Sequence, residues 1–309
     1  MTKAKTLLVV GLVSTAIFAS AALGGGPMGP PMALLGEGHW GFGAEYGHAT
    51  MDLQASGMLE MINGDQIFHF VENVQIDNLT MNMFFGTLAY GVCDNWDIFA
   101  RLGAADARDD ATGTANIPQD PHNPLWLVES LGVPQRYSLE GLDSNFGFAW
   151  GVGTRATFCR SGPWAFGGLA QATFFKPGDS SIRYMDPLWA QEDVDHVGHA
   201  KLDFWETQVS LAVSYQVDTL RLWAGPYLQF VMGDFDRDGN ILFAGAPLPN
   251  GSSFSASSDL QQQSEIGGHF GGDWSVSQQV DLWVEGQVTG DSWFVGIGLM
   301  FKPQETFGM

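Results

Sequence analysis

From His39 onward, hydrophobic and polar positions alternate along the chain. In residues 39–53, Trp40, Phe42, Ala44 and Tyr46 fall on one face, and Gly41, Gly43, Glu45 and Gly47 on the other. A period of two, with aromatics opposite small and charged residues, predicts a strand with one apolar and one polar side. The pattern recurs in 82–93, with Phe84, Leu88, Tyr90 and Val92 on the apolar face, and in 96–106, with Trp96, Ile98, Ala100 and Leu102. In 146–159 that face carries Phe148, Trp150, Val152 and Phe158, and 164–175 continues the series. The clearest alternation is in 205–217, where Trp205, Val209, Leu211, Val213 and Tyr215 stand opposite Glu206, Gln208, Ser210 and Ser214. Residues 220–232, 264–276, 280–288 and 293–301 complete a set of ten strands. Counts of eight or twelve stay open, because residues 66–78 alternate weakly and would lengthen the second strand.

The connections alternate too. Tight turns at 93–96, 160–163, 218–219 and 277–279 are separated by long stretches at 54–78, 107–144, 176–203 and 233–263. Short turns at one end and long loops at the other predict an all-β, transmembrane antiparallel up-and-down β-barrel, with turns periplasmic and loops outside. An even strand number puts both termini on the short-turn side. At that level the outward residues include Trp40, Tyr90, Trp96, Phe158, Trp164, Tyr215, Trp274 and Phe301. This is the aromatic girdle of a lipid interface. A soluble barrel has no reason to ring one end with outward aromatics, since large exposed apolar patches invite association.

The N-terminus fits export. Lys3 and Lys5 precede an apolar stretch over 7–18 and the run Ala19-Ser20-Ala21-Ala22. This order predicts a cleaved signal peptide, residues 1–21. Gly, Ser and Thr interrupt the stretch, which suits a membrane anchor poorly. Residues 22–37, with Gly24-Gly25-Gly26-Pro27 and Pro30-Pro31, predict a flexible leader without structure. The barrel then occupies 38–301, followed by a short tail, 302–309.

The stretch from Tyr90 to Gly103, the run Phe148-Ala-Trp-Gly-Val-Gly153 and the closing Trp293-Phe-Val-Gly-Ile-Gly-Leu-Met-Phe301 resemble porin-like bacterial outer-membrane β-barrel proteins. The resemblance spans about 38–301 and implies a bacterial outer-membrane location, with the lipid bilayer as first partner. In that family the last strand usually ends the chain on an aromatic. Here Phe301 is followed by eight further residues.

Composition narrows the chemistry. Thirteen Lys and Arg against 34 Asp and Glu give a formal charge of −21, which argues against a nucleic-acid partner. Apolar residues at 45% exclude disorder as the general state. Only Cys93 and Cys159 are present, on strands separated by another strand. Two strand spacings of about 4.8 Å exceed the roughly 7 Å that a disulfide spans, so pairing requires the turns to bend inward.

By the alternation, Glu45, Asp97, Arg101, Arg155, Glu206, Gln208, Arg221, Glu265, Asp281 and Glu285 line the lumen, with Gln229, His269, Asp273 and Gln287 beside them. Three arginines face a larger number of carboxylates. Two readings stand: an ion-pair network that fills the lumen, or a narrow path for small cationic or neutral solutes. Asp234, Asp236 and Asp238 before Gly239 match the start of a calcium loop, but position twelve is Gly245 instead of Glu. Calcium there, or divalent cations generally, competes with a solvated acidic hairpin tip. A cluster of Asp193, Asp195, His196 and His199 in the third long stretch is the one arrangement suited to an outer-rim hydrolase. Without any nucleophile or metal motif, no catalytic residue is assigned and no enzyme is expected. A 126–128 Trp-Leu-Val stretch in the longest loop suits packing on the rim. The expected function is a structural or narrow porin-like outer-membrane barrel. A secreted soluble β-barrel or sandwich with a binding role competes with it, and an outer-membrane protease or lipid enzyme ranks third.

Overall fold

A computed structural model describes residues 26–116, 135–185, 194–243, 246–247, 252–262 and 266–303. Its strands are β1 (Trp40–Asn63), β2 (Gln66–Cys93), β3 (Trp96–Ala105), β4 (Arg108–Asn116) and β5 (Gln135–Asp143). There follow β6 (Gly147–Ser161), β7 (Trp164–Lys176), β8 (Ser180–Met185), β9 (Val194–Val217) and β10 (Leu220–Phe243). The last five are β11 (Ala246–Pro247), β12 (Ser253–Gln262), β13 (Ile266–Ser275), β14 (Val280–Val288) and β15 (Ser292–Phe301).

These strands close two stacked rings. The lower ring runs β1-β2-β3-β6-β7-β9-β10-β13-β14-β15 and back to β1, ten antiparallel strands as the alternation predicts. The upper ring runs β1-β2-β4-β5-β8-β9-β10-β12 and returns to β1, eight strands. Four long strands, β1, β2, β9 and β10, belong to both. A bilayer needs only about 9–11 residues per strand, so the 24 residues of β1 reach well beyond it.

Among the described residues, each of the four stretches expected to be long loops is largely strand. Residues 54–78 continue β1 and β2 to a tight turn at Gly64-Asp65, where Gly64 has φ 63°. The 107–144, 176–203 and 233–263 stretches supply β4 and β5, β8 with the start of β9, and the end of β10 with β12. The Trp126 stretch lies outside the described residues.

What distinguishes the rings is which face is greasy. Along the outer face of β1, Trp40, Phe42, Ala44 and Tyr46 give way to His48, Thr50, Asp52, Gln54 and Ser56, while the inner face passes from Gly43, Glu45 and Gly47 to Ala49, Met51, Leu53 and Ala55. The period never changes, yet the hydrophobic set crosses to the other face. The same crossing occurs on β9, where outward Trp205 is followed upward by Asp203 and Lys201, and inward Glu206 by Phe204 and Leu202. The upper ring therefore holds a continuous buried core that includes Leu53, Ile76, Phe204, Phe235, Phe254 and Leu260. The lower ring turns its apolar side chains outward, with Leu211, Val213, Val284 and Ile297 all exposed. Water around the upper ring and lipid around the lower one account for the inversion.

Two aromatic girdles bound the lipid-facing band. At the short-turn end Trp40 packs on Tyr90 (4.8 Å) and Trp164 on Tyr215 (4.6 Å), with Trp96, Phe158, Trp274 and Phe301 exposed at the same end. The second girdle joins Tyr46 to Phe84 (4.8 Å), Phe84 to Phe146 (5.7 Å) and Trp150 to Trp205 (5.2 Å). From Tyr215 to Trp205 the strand rises about 33 Å. A tilt near 40° reduces this to about 25 Å, the height of the apolar band of a transmembrane barrel. A soluble barrel would place polar residues on this band.

Candidate functional site

The lower ring encloses a polar lumen, and period two places its side chains. Near the short-turn end Asp97 of β3 pairs with Arg155 of β6 at 2.9 Å, and Asp281 of β14 with Lys302 at 2.6 Å. Arg221 lies 3.8 Å from Asp273. Further up, Thr87 donates to Glu45 at 2.7 Å, and Arg101 stands 3.7 Å from the same carboxylate while donating to Gln171 at 2.9 Å. Gln171 and Gln208 continue the chain to Gln287 and to Glu206, which also accepts from Gln229. His269 is 2.9 Å from Glu285. Glu45, Asp97, Arg101, Arg155, Glu206, Gln208, Arg221, Asp281 and Glu285 thus all lie on the inner face; Glu265 lies outside the described residues.

The lumen is occupied by the chain itself. Residues 26–36, expected as an unstructured leader, descend through the lower ring, and nearly all of them are buried. Glu206 accepts from Gly26 N–H (2.8 Å), and Glu285 from Met28 N–H (2.8 Å) and Gly29 N–H (2.9 Å). Thr157 accepts from Ala33 N–H (3.2 Å), and Asp97 from the N–H groups of Leu34 (2.7 Å) and Leu35 (3.4 Å). Arg101 and Gln171 donate to the Pro27 carbonyl, and Gln287 to that of Gly26.

Local chemistry explains why this segment fits. Pro27, Pro30 and Pro31 carry no N–H, so a buried extended segment has fewer donors to satisfy. Its anchors are apolar: Met28 and Leu35 join a cluster with Phe99, Leu169 and Tyr227, and Met32 packs with Ala212, Trp223 and Trp283. At Gly26 a Cβ would stand 2.7 Å from a Glu206 oxygen. Gly38, with φ 76°, makes the left-handed turn into β1 that other residues adopt reluctantly. The excess of lumen carboxylates over arginines was visible in the sequence; several of the groups that answer it are backbone N–H groups, which no side-chain pattern announces.

The calcium-loop candidate is not gathered into a site. Asp234, Asp236 and Asp238 occupy alternate positions of β10 and face outward, exposed on the upper ring. A straight strand spaces such side chains about 7 Å apart instead of curling them around an ion. Among the described residues no group of three His, Cys, Asp or Glu side chains is gathered as a metal requires. In the Asp193, Asp195, His196 and His199 cluster, His199 is exposed on the outer face of β9. Asp193 and the side chains of Asp195 and His196 lie outside the described residues. Cys93 and Cys159 are free and exposed. Residues 1–21, expected as a signal peptide, and residues 304–309 also fall outside the described residues.

No protein-family model matches the chain, and no curated protein matches it in sequence. Among solved structures it is similar to the outer membrane protease OmpT of Escherichia coli, with 11% identity and a TM-score of 0.44 over 85% of this chain and 97% of that one. It is also similar to the translocator domain of the autotransporter NalP of Neisseria meningitidis (11%, TM-score 0.35, 97% and 95%). A third similar structure is the outer membrane protein OprG of Pseudomonas aeruginosa (11%, TM-score 0.34, 87% and 98%). TM-scores below 0.5 at such identities carry neither family nor activity to this chain.

Proposed function

We propose that the chain is an integral β-barrel of the bacterial outer membrane that is structural at rest: it holds the eight-stranded upper ring outside the bilayer and keeps its own lumen shut, without enzymatic chemistry. The observation that supports this most is the occupied lumen, where Glu206, Glu285 and Asp97 are spent on the backbone of residues 26–36. Above that layer the hydrophobic core of the upper ring fills the same axis. A solute path would require both the segment to leave and the core to part. The lipid band between the two girdles is the membrane partner.

Single-channel recording in planar bilayers tests the reading. The refolded, heat-modifiable chain is expected to insert and remain electrically silent. Discrete cation-selective steps from the unmodified chain would overturn it in favour of a narrow carboxylate-lined passage.

A further inference from the structure

We infer that the lower lumen is a peptide-binding site, that residues 26–36 are its exchangeable occupant, and that it accepts in trans an extended Gly/Pro-rich peptide with Met and Leu anchors. The inference concerns the lumen's ligand and holds whether or not the barrel conducts.

Three observations carry it. First, the polar contacts are made to the segment's backbone, while Met28, Met32 and Leu35 sit in apolar seats. Backbone recognition with a few anchors is how proteins hold extended, proline-rich peptides. Second, residues 26–36 form no strand and add no pairing to either ring, so no sheet has to break for them to leave. Their tether to β1 passes through Gly36 and Gly38 at the short-turn end.

Third, the side chains that hold the segment keep partners in the wall. Asp97 keeps Arg155, Glu285 keeps His269, and Glu206 keeps Gln208 and Gln229. Arg101 keeps Gln171 and Glu45. A buried charge stripped of every partner is strongly unfavourable. A wall that retains these pairs can stand empty, which a merely structural plug would not require. The emptied layer faces the short-turn side, so a competing peptide would come from there.

The test uses the full chain with Cys93→Ser and Cys159→Ser, which removes both exposed thiols, and adds Ala33→Cys. Ala33 is 4% exposed. In the heat-modifiable, folded barrel a membrane-impermeant maleimide should label residue 33 slowly, about 100-fold below the rate at the native Cys159 of the parent chain. Adding a synthetic peptide of residues 26–36 in excess should raise that rate at least about threefold by trapping the vacated lumen, and a scrambled peptide should not. If the Ala33→Cys chain does not fold, Leu34→Cys at the same level gives the same reading. No labelling of the folded barrel within a day, or equal rates with native and scrambled peptides, would overturn the inference. Conductance of the unlabelled chain, by contrast, bears only on the closed-barrel reading.

Discussion

The lower and upper rings are made from the same strands with the same period, yet they are inside-out with respect to each other. On β1 the outer set runs from Trp40 through Tyr46 to Asp52 and Ser56, and the inner set from Glu45 to Leu53. Backbone pairing is indifferent to this change; each ring satisfies its N–H and C=O groups by closing. What differs is the solvent. In lipid an outward Leu costs nothing and an inward carboxylate must find donors, which here are arginines, glutamine amides and the backbone of residues 26–36. In water the outer face can be Asp, Ser and Lys, and the ring is held by what it buries, at about 1.5–3 kcal/mol for each large apolar side chain. The comparison teaches that alternation specifies a strand, whereas the surroundings decide which face the hydrophobic set takes.

The upper core contains one pair that breaks its own rule. Arg237 and Glu72 form an ion pair with both side chains fully buried; Arg237 also donates to Ser258 at 3.2 Å and lies over the Phe235 ring at 4.6 Å. In the lower ring such a pair is ordinary; in an apolar core the loss of Arg237 removes the opposite charge facing Glu72, with the Ser258 hydroxyl still donating to it at 3.0 Å. Arg237→Leu should therefore lower the stability of the upper ring by about 3–5 kcal/mol. The double change Arg237→Leu with Glu72→Leu should recover most of that. Urea titration followed by limited proteolysis of the upper hairpins would read both. If the single variant unfolded the lower ring at the same urea concentration, the two rings would be one cooperative unit and the comparison would fail at the level of energetics.

The outward faces give a sharper contrast. Leu211, near the middle of the lipid band on β9, and Ser257, on β12 of the upper ring, are both exposed and both outward. Leu211→Arg should cost about 2–4 kcal/mol in a bilayer. Ser257→Arg should stay within about 0.5 kcal/mol. Reversible unfolding in lipid vesicles measures each. Equal costs would mean that the band between the girdles is not in lipid.

The lower ring was legible in the sequence because lipid leaves a mark: Trp, Tyr, Leu and Val on every second residue, and aromatics at one depth. The upper ring was not, for a reason visible on β10. Beyond Met232 the outward positions become Asp234, Asp236 and Asp238, so a reading that follows outward hydrophobics ends the strand there and sees an acidic loop. The inward series Val231, Phe235 and Arg237 continued the strand, but with Gly233 and Gly239 interspersed it is too sparse to announce itself. The lumen's occupant was hidden for another reason. Gly and Pro carry the signal of a loop whether or not partners wait for their backbone, and residues 26–36 are ordered by groups that lie up to 261 positions away.

The smallest expected effect tests the acidic outer face. In register, Asp234 of β10 stands directly opposite Asp203 of β9 and Asp259 of β12, three carboxylates in one row just above the second girdle. Lys176 pairs with Asp203 and relieves that side, so the repulsion falls mainly between Asp234 and Asp259. Like charges directly opposite on a sheet are unfavourable by about 0.2–1 kcal/mol. Asp234→Asn should therefore stabilise the upper ring by a few tenths of a kcal/mol at low salt. The gain should fade as ionic strength shortens the Debye length below about 8 Å. A calcium loop at the same residues predicts the opposite sign: added calcium would stabilise the unmodified chain and leave the Asn variant behind. Because the strand holds the three β10 carboxylates apart, calcium is expected to act on both chains alike, through screening alone, and urea midpoints with and without it decide between the two.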